Sequence, residues 1–467
     1  MCGIAGLWNV TSGAPAERID LDRMVRALHH RGPDDHGIHL AGPLGIGHTR
    51  LSIVDLSGGH QPMCNEDGSI WVVFNGEIYN HKELRAGLIT KGHRFATHSD
   101  TEVILHQYEE LGERCVESFN GQFAFALWDA ERHRLLLARD RLGVRPLYYV
   151  WSRDGIRFAS EIKALFTDPS VPRALDPIAL DQIFTFWFPL APRTGFVGVS
   201  EVPPGHTLTV HHGGSTLQRY WAMEFPAEAS GRQPRHPERW YRDRLAELLD
   251  DAVALRLRAD VPVGAYVSGG LDSSVVAAMA RRKVNDRLLT FSIGFEAAEF
   301  DERSFQSAVV DHLGTQHTAC VYRTLDIGRE FPAAMWHMER PVLRTAPVPM
   351  MRLAQGVRAA GIKVVLTGEG ADEVLAGYDI FKEAKVRRFW AQSPDSRFRP
   401  LLLRRLYPYL SGVQGQASAY LKGFFGQGLE DTSDPFYSHR PRWQVAGQIK
   451  SLLAGHVREG LAEYDAV

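Results

Sequence analysis

The chain has 467 residues, 44% hydrophobic and 23% charged, an ordinary soluble composition with length for two or three domains. A net charge of −2 and a pI near 6.9 give no bulk attraction to nucleic acid or to a membrane surface. No apolar run approaches the ~18 residues that span a bilayer. The N-terminus lacks the basic and long apolar regions of a signal peptide. Four scattered cysteines without a C-x-x-C fit a reducing, cytoplasmic setting.

Taken in chain order, the apolar run Ile4 to Trp8 predicts a strand at the very start. Helical periodicity follows at Leu21–His29, then a strand at Ile70–Phe74. A helix at Thr101–Leu111 comes next, with Ser99 and Asp100 before it as caps. Strands at Gln122–Trp128, Arg134–Ala138 and Leu147–Trp151 complete an α+β pattern of stacked antiparallel sheets to about residue 205. Residues 206–237 read as a connecting segment, ending in the polar, Pro/Gly/Ser-rich stretch Phe225 to Pro237. From 238 the pattern changes. Helices at Trp240–Arg256, Ser273–Arg282, Arg303–Leu313 and Pro349–Ala359 alternate with apolar strands at Val261–Val267, Leu288–Ile293, Thr318–Tyr322 and Ile362–Leu366. That alternation predicts a parallel sheet covered on both faces. The basic run Lys385 to Arg405 reads as a solvated helical face.

Cys2 stands directly behind Met1. Once Met1 is removed, one residue carries both a thiol and an α-amine whose pKa is roughly 7.7–8.0. A neutral amine beside a thiol is a built-in general base. Farther on, Ser268-Gly-Gly-Leu-Asp-Ser-Ser274 leaves a strand and opens a helix. Glycines let a backbone approach an anion, and the helix start supplies N–H groups and a favourable dipole. Ser273 and Ser274 add hydroxyls, and Asp272 beside phosphates calls for a cation, Mg²⁺ being the natural one. The loop lacks the Gly-Lys-Ser/Thr ending of a Walker A motif. A second strand end, Thr367-Gly-Glu-Gly-Ala-Asp-Glu373 with Gly377-Tyr378, sets three carboxylates within five residues, where a metal or cationic substrate would neutralise them. The His29-His30-Arg31…His36 cluster lacks regular zinc-ligand spacing and reads as a loop.

Cys2, Arg50-Leu-Ser-Ile-Val-Asp55, Asn75-Gly-Glu-Ile-Tyr-Asn80, Ser99-Asp-Thr-Glu102 and Arg139-Asp-Arg-Leu-Gly143 together resemble the glutaminase domain of class II, N-terminal-nucleophile amidotransferases. The Ser268 loop resembles that of N-type ATP pyrophosphatases. With Phe291–Phe295, Phe300–Glu302, Arg344–Pro347 and Lys363–Tyr378, the whole chain resembles the glutamine-hydrolysing asparagine synthetases. The resemblance implies a four-layer α+β glutaminase domain (1–205) and an α/β parallel-sheet, Rossmann-like ATP-pyrophosphatase domain (238–467). It implies Cys2 as nucleophile, with the Asn75 side chain and the Gly76 N–H as oxyanion hole. Arg50, Leu51, Ser52, Ile53 and Val54, with Asn75, Gly76, Glu77 and Asp100, would bind glutamine, Arg50 taking its carboxylate and Asp100 its amine.

In the second half, Ser268, Gly269, Gly270, Asp272, Ser273 and Ser274 would hold the ATP phosphates, and Tyr266, Val267, Ile293, Thr367 and Gly368 the adenine. Asp272 and Asp372 would share Mg²⁺, Glu369 would serve the attack of ammonia, and Arg344 would contact the reacting groups. Substrates would be glutamine, aspartate and ATP, and the assembly a homodimer. Two other readings are a related amidotransferase acting on another carboxylate and a glutaminase-only fragment needing a partner. Relatives continue beyond the point matching Val467. The second domain is therefore expected to be incomplete at its C-terminus, and the chain alone to keep glutaminase activity while making little asparagine.

Overall fold

The structure is a computed structural model, described here for residues 1–224, 236–284, 287–407, 418–461 and 464–467. Most of the expected linker, residues 225–235, lies outside the described residues. The chain divides into two compact units. One comprises Met1–Leu175, Leu190–Arg340 and Arg344–Thr367; the other Asp176–Pro189, Pro341–Leu343 and Gly368–Val467.

The first unit opens with β1 (Gly3–Trp8), α1 (Arg18–Ala27), β2 (Asp35–Ala41), β3 (Leu44–Arg50), β4 (Met63–Cys64) and β5 (Ile70–Ile78). There follow α2 (His81–Thr90), α3 (Asp100–Leu111), β6 (Gly121–Asp129), β7 (Arg134–Arg139), β8 (Tyr148–Trp151), β9 (Ile156–Ala159) and α4 (Ile162–Leu165). Helix α5 (Pro177–Phe186) belongs to the second unit, and β10 (Val199–Glu201), β11 (His206–His211) and β12 (Gly214–Arg219) return to the first.

Two six-stranded antiparallel sheets result, ordered β10-β8-β9-β1-β3-β2 and β12-β11-β7-β6-β5-β4. Alternation of side chains along β6 shows how they stack. Phe123, Phe125 and Leu127 pack with Val103, Ile104 and Tyr108 of α3, whereas Ala124, Ala126 and Trp128 pack with Ile4, Trp8 and Ile46 of the other sheet. That sheet turns Ala5 and Ala159 outward onto Leu21 and Met24 of α1 and Ile162 of α4. The layering is helix, sheet, sheet, helix. The hairpin at 206–219, expected to lie in a connecting segment, instead supplies the two outer strands of the second sheet. Its inward Leu208 and Val210 are buried in the sheet–sheet core, while the intervening threonines carry the alternation of a strand.

The rest of this unit is α6 (Glu238–Arg256), β13 (Val263–Tyr266), α7 (Leu271–Lys283), β14 (Leu289–Phe295), α8 (Arg303–Leu313), β15 (Gln316–Tyr322), α9 (Thr324–Met338), α10 (Pro347–Ala359) and β16 (Val364–Leu366). The strands form an all-parallel sheet ordered β15-β14-β13-β16. Ala265 and Leu366 face α6 and α7; their neighbours Tyr266 and Val365 face Leu353 and Val357 of α10. Both faces are therefore covered, as the alternating pattern predicts.

In the second unit, α11 (Ala371–Leu375) and α12 (Asp379–Ala391) precede a small core of Trp390, Leu403, Leu421 and Phe425. Lys385, Arg388, Arg397, Arg404 and Arg405 of the basic run are exposed, as a solvated face requires, and Arg387 is the exception. Arg387 is 1% exposed, donates to the carbonyls of Phe425 (2.9 Å), Gln427 (2.6 Å) and Tyr437, and lies over the Tyr437 ring. A guanidinium can be buried when its fork of donors finds this many carbonyls; charge pattern alone does not reveal them.

Candidate active site

Cys2 is held at the lip of β1, which pairs with β3 on one side and β9 on the other. Its Sγ accepts the Leu51 N–H at 3.4 Å, and its carbonyl accepts Arg31 Nε at 2.8 Å. Burial pushes the thiol pKa up, the Leu51 hydrogen bond opposing it. The Met1 side chain is half exposed, yet its α-amine is enclosed, and that burial lowers it to about 5. An amine at this end of the chain is thus held neutral beside a protonated thiol.

In β5, Asn75 is fully buried, and neither its Oδ1 nor its Nδ2 has a hydrogen-bond partner. A buried amide left in that state costs on the order of 1–3 kcal/mol, so it suits a group that a ligand completes. Gly76 follows with no room for a Cβ, which would overlap the Gln122 carbonyl. Glu77 comes next, its pKa raised first by burial and then by Asp100. Asp100 begins α3 behind the Ser99 cap, accepts the Ile78 N–H at 2.8 Å, and is also pushed up by burial. Two adjoining buried carboxylates are a natural seat for a substrate ammonium.

Arg50, only 6% exposed, donates to the carbonyls of Val54, Asp55 and Leu56 (2.5–3.3 Å), all neutral groups. The loop it braces, Leu51–Val54, is also held from the other half. Asp260 donates its N–H to the Ile53 carbonyl at 3.0 Å, and its carboxylate accepts the Asp55 N–H at 2.7 Å. Lys363 reaches the Ser52 carbonyl (3.2 Å) and Asp34 (2.6 Å), which accepts the Ser52 N–H (2.8 Å).

On the parallel sheet, central β13 ends in Tyr266 and Val267. Neighbouring β14 presents Ile293 and β16 runs out into Thr367, so all four come from the carboxyl ends of adjacent strands. The Ser268 hydroxyl lies 2.9 Å from that of Ser273 and accepts the Gly270 N–H at 3.2 Å; the Ser274 hydroxyl donates to the Gly270 carbonyl at 2.6 Å. Gly269 has φ +83°, and a Cβ there would lie 2.7 Å from Phe305 Cβ. The start of α7 has no side-chain cap and carries Asp272 in its first turn. Its donors fit an oxyanion and the Asp272 carboxylate a hard cation. Gly368, Glu369 and Asp372 fall in the second unit, with Asp372 in the first turn of α11, against Gly377. Arg344 is exposed ahead of α10.

Residues 1–221 match the glutamine amidotransferase domain family and residues 244–457 the asparagine synthase family. Asparagine synthetase [glutamine-hydrolyzing] 1 of Bacillus subtilis is 34% identical over 474 residues, spanning 100% of this chain and 71% of that protein. Asparagine synthetase [glutamine-hydrolyzing] 2 of Arabidopsis thaliana is 36% identical over 86% of this chain and 65% of its own length. A putative asparagine synthetase [glutamine-hydrolyzing] 2 of Methanocaldococcus jannaschii is 34% identical over 81% and 76%. The chain belongs to the glutamine-hydrolysing asparagine synthetase family.

In this member of the family, Cys2 is hydrogen-bonded to Leu51 and lies within electrostatic reach of Glu77, which follows Asn75 and Gly76 in β5 and interacts with Asp100. Sequence reasoning missed Arg31 and Arg145 there. Arg145 is buried, its Nε has no hydrogen-bond partner, its Nη1 contacts Met1 Sδ, and burial lowers its pKa beside Tyr79, Glu77 and Cys2. The signal available was a basic residue just past the Arg139–Gly143 motif. One further cluster, His93, His106 and Glu109, has ligand atoms within 4.8 Å of one another. Burial opposes protonation of His106, but the carboxylates of Glu102 (3.8 Å) and Glu109 (2.8 Å) outweigh it and raise its pKa, so these acidic groups already have a cationic partner at hand.

Proposed function

We propose that this chain is an ATP-dependent carbon–nitrogen ligase that forms asparagine from aspartate with ammonia drawn from glutamine. The observation that carries the glutaminase half is the buried, unpartnered Asn75 amide in the Cys2 pocket. With Met1 removed, the α-amine of Cys2 takes the thiol proton, and the thiolate attacks the side-chain amide carbon of glutamine. The oxyanion that forms accepts from Asn75 Nδ2 and the Gly76 N–H. The proton passes to the departing ammonia, and water hydrolyses the thioester to glutamate. Arg50 takes the substrate carboxylate; Glu77 and Asp100 take its ammonium.

On the synthetase side, the Ser268–Ser274 loop holds the ATP phosphates, with Tyr266, Val267, Ile293 and Thr367 around the adenine. The aspartate side-chain carboxylate attacks the α-phosphorus, pyrophosphate leaves, and ammonia displaces AMP from β-aspartyl-AMP. Glu369 takes the proton from the attacking ammonia, and Arg344 meets the reacting groups. Asp272 would hold Mg²⁺, which would supply neutralisation of the pyrophosphate charge. All four cysteines are free thiols, which supports a reducing, cytoplasmic setting.

The test is incubation with glutamine, ATP, Mg²⁺ and aspartate, following glutamate, AMP, pyrophosphate and asparagine. AMP and asparagine that depend on aspartate are expected. ADP as the nucleotide product, or amide formed only from a different carboxylic acid, overturns the reading.

A further inference from the structure

A line of four alternating buried charges runs from the parallel-sheet half of the first unit to the backbone of Cys2. Its far end is Glu339, which closes α9 in a left-handed conformation (φ 54°) that costs a non-glycine residue free energy. What holds it there is its carboxylate. The two oxygens accept the N–H groups of Ile162 (2.6 Å) and Lys163 (2.7 Å), capping α4 from a position 176 or 177 residues away in sequence. Lys163 Nζ lies 3.0 Å from Glu339 and also pairs with Glu161. Glu161 accepts Arg31 Nη1 at 2.7 Å, and Arg31 Nε donates to the Cys2 carbonyl.

The side chains of Arg31, Glu161, Lys163 and Glu339 are 7%, 9%, 12% and 9% exposed, so water screens them little. Burial acts to raise Glu161, but His30, Arg31 and Lys163 outweigh it and hold it far below the usual carboxylate range. The same end of α9 lays Trp336 and His337 against the His30 ring, at 5.4 and 4.9 Å between centroids. Upstream, Ala334 and Met335 pack with Ile293 and Phe295 at the end of β14. One helix therefore touches both the strand end assigned to adenine and the charge line that ends on the nucleophile.

We propose that Glu339 is a positioning residue for the glutaminase reaction, fixing Arg31 and through it the Cys2 backbone. Glu339 touches no substrate. Its charge shares Lys163 with Glu161. Without it, Lys163 turns wholly to Glu161 and weakens the Glu161–Arg31 pair, which loosens the grip on the Cys2 carbonyl. The proposal rests on the assignment of Cys2 as nucleophile, so its test carries a readout that needs no turnover.

Glu339→Gln, Glu339→Asp and Arg31→Lys are compared for glutamine kcat and KM, for thermal midpoint, and for the rate at which iodoacetamide alkylates Cys2, read by peptide mass spectrometry. E339Q is expected to lower kcat and the Cys2 alkylation rate about tenfold, in line with the cost of sub-ångström misplacement, while KM stays within about twofold because Arg50 and Asp100 are outside the line. E339D keeps the charge and should lose only about threefold, in keeping with a shortened but intact line; if E339Q does not fold, E339D carries the test. In an Arg31→Lys background the E339Q loss should shrink to under about twofold, since the two act in series.

Wild-type kcat and alkylation in E339Q, or an undiminished loss in the Arg31→Lys background, overturns the proposal. A lowered thermal midpoint with unchanged Cys2 reactivity does the same, since it leaves Glu339 a merely structural role. If the wild-type protein hydrolyses no glutamine, the glutaminase assignment falls, and the alkylation rate still decides whether Glu339 governs Cys2.

Discussion

Around Cys2, the Met1 α-amine, the thiol, Glu77, Asp100 and Arg145 are desolvated to different degrees, Asp100 the most fully, and every one is shifted toward its neutral form. Around Ser268 the picture inverts. Ser268, Gly270 and Leu271 are exposed, and the functional donors are hydroxyls and backbone N–H groups. The difference follows from the substrates. A thiol amidase must hold a neutral base and exclude water from a thioester, so it collects titratable groups in a low-dielectric pocket. A polyphosphate arrives with its own charge and is met by dipoles that never titrate. The two sites should therefore fail differently under mutation and pH.

The largest difference is expected at the nucleophile. Cys2→Ala removes the only thiol in the pocket and should lower glutamate formation by about 10³-fold or more, as nucleophile deletions do. Binding of ATP at the Ser268 loop should be unchanged by the criterion of equilibrium titration. Residual glutaminase activity within tenfold of wild type would remove Cys2 from its role.

Next in size is the oxyanion donor. Asn75→Ala deletes an amide whose polar atoms have no protein partner, so stability should change little while kcat falls about 10²–10³-fold. The converse result, a large loss of stability with kcat intact, would make Asn75 a structural residue. On the other side of the comparison, Gly269→Ala must adopt φ +83° and push on Phe305. A strained left-handed position costs about 1–3 kcal/mol, which should appear as a roughly tenfold rise in the KM for ATP with glutaminase kcat unmoved.

The pH contrast is read at Glu77. Its folded pKa is raised by burial and by Asp100, and its unfolded reference is 4.5. A carboxylate raised in the fold contributes stability that is full below the unfolded pKa and is lost as pH rises through the folded one. Glu77→Gln should therefore stabilise the protein at pH 8, and the gain should vanish near pH 4. Denaturation midpoints at both values check the sign; equal midpoints for the two proteins at pH 8 would show that the pair is not strained.

How much of this was legible in sequence differs between the sites for the same physical reason. The Ser268 loop is contiguous, and its chemistry is backbone geometry, which glycine and serine spell out directly. The strands that carry it alternate with helices in a pattern any reading of hydrophobicity recovers. The Cys2 pocket is assembled from β1, the Arg50 loop, β5 and α3, so its motifs mark the segments but not the partners. Arg145 stands two residues past a motif, and nothing local distinguishes its buried guanidinium from the exposed arginines elsewhere. Helix α9 was missed outright, because Gly328 and Pro332 break its propensity while tertiary packing of Ala334 keeps it helical. Its loss hid Glu339 as well.

The smallest effect is expected where the other half grips the glutamine loop. Lys363 stands just before β16 and joins Asp34 and the Ser52 carbonyl, but both charged side chains are about a third exposed (32% and 30%). Such a pair is worth at most about 1 kcal/mol, and it touches a loop residue, not the nucleophile. Lys363→Met should thus raise the KM for glutamine about two- to threefold and leave kcat alone, since the transition-state donors are elsewhere. Added salt should bring the wild-type KM toward that of the variant, because partly exposed charges are screened over about 8–10 Å at physiological ionic strength. Asp34→Asn removes the same interaction from the other side, so the double variant should be no worse than either single one. Fully additive losses would mean that Lys363 and Asp34 support the loop separately, and that the grip on Ser52 is not a unit.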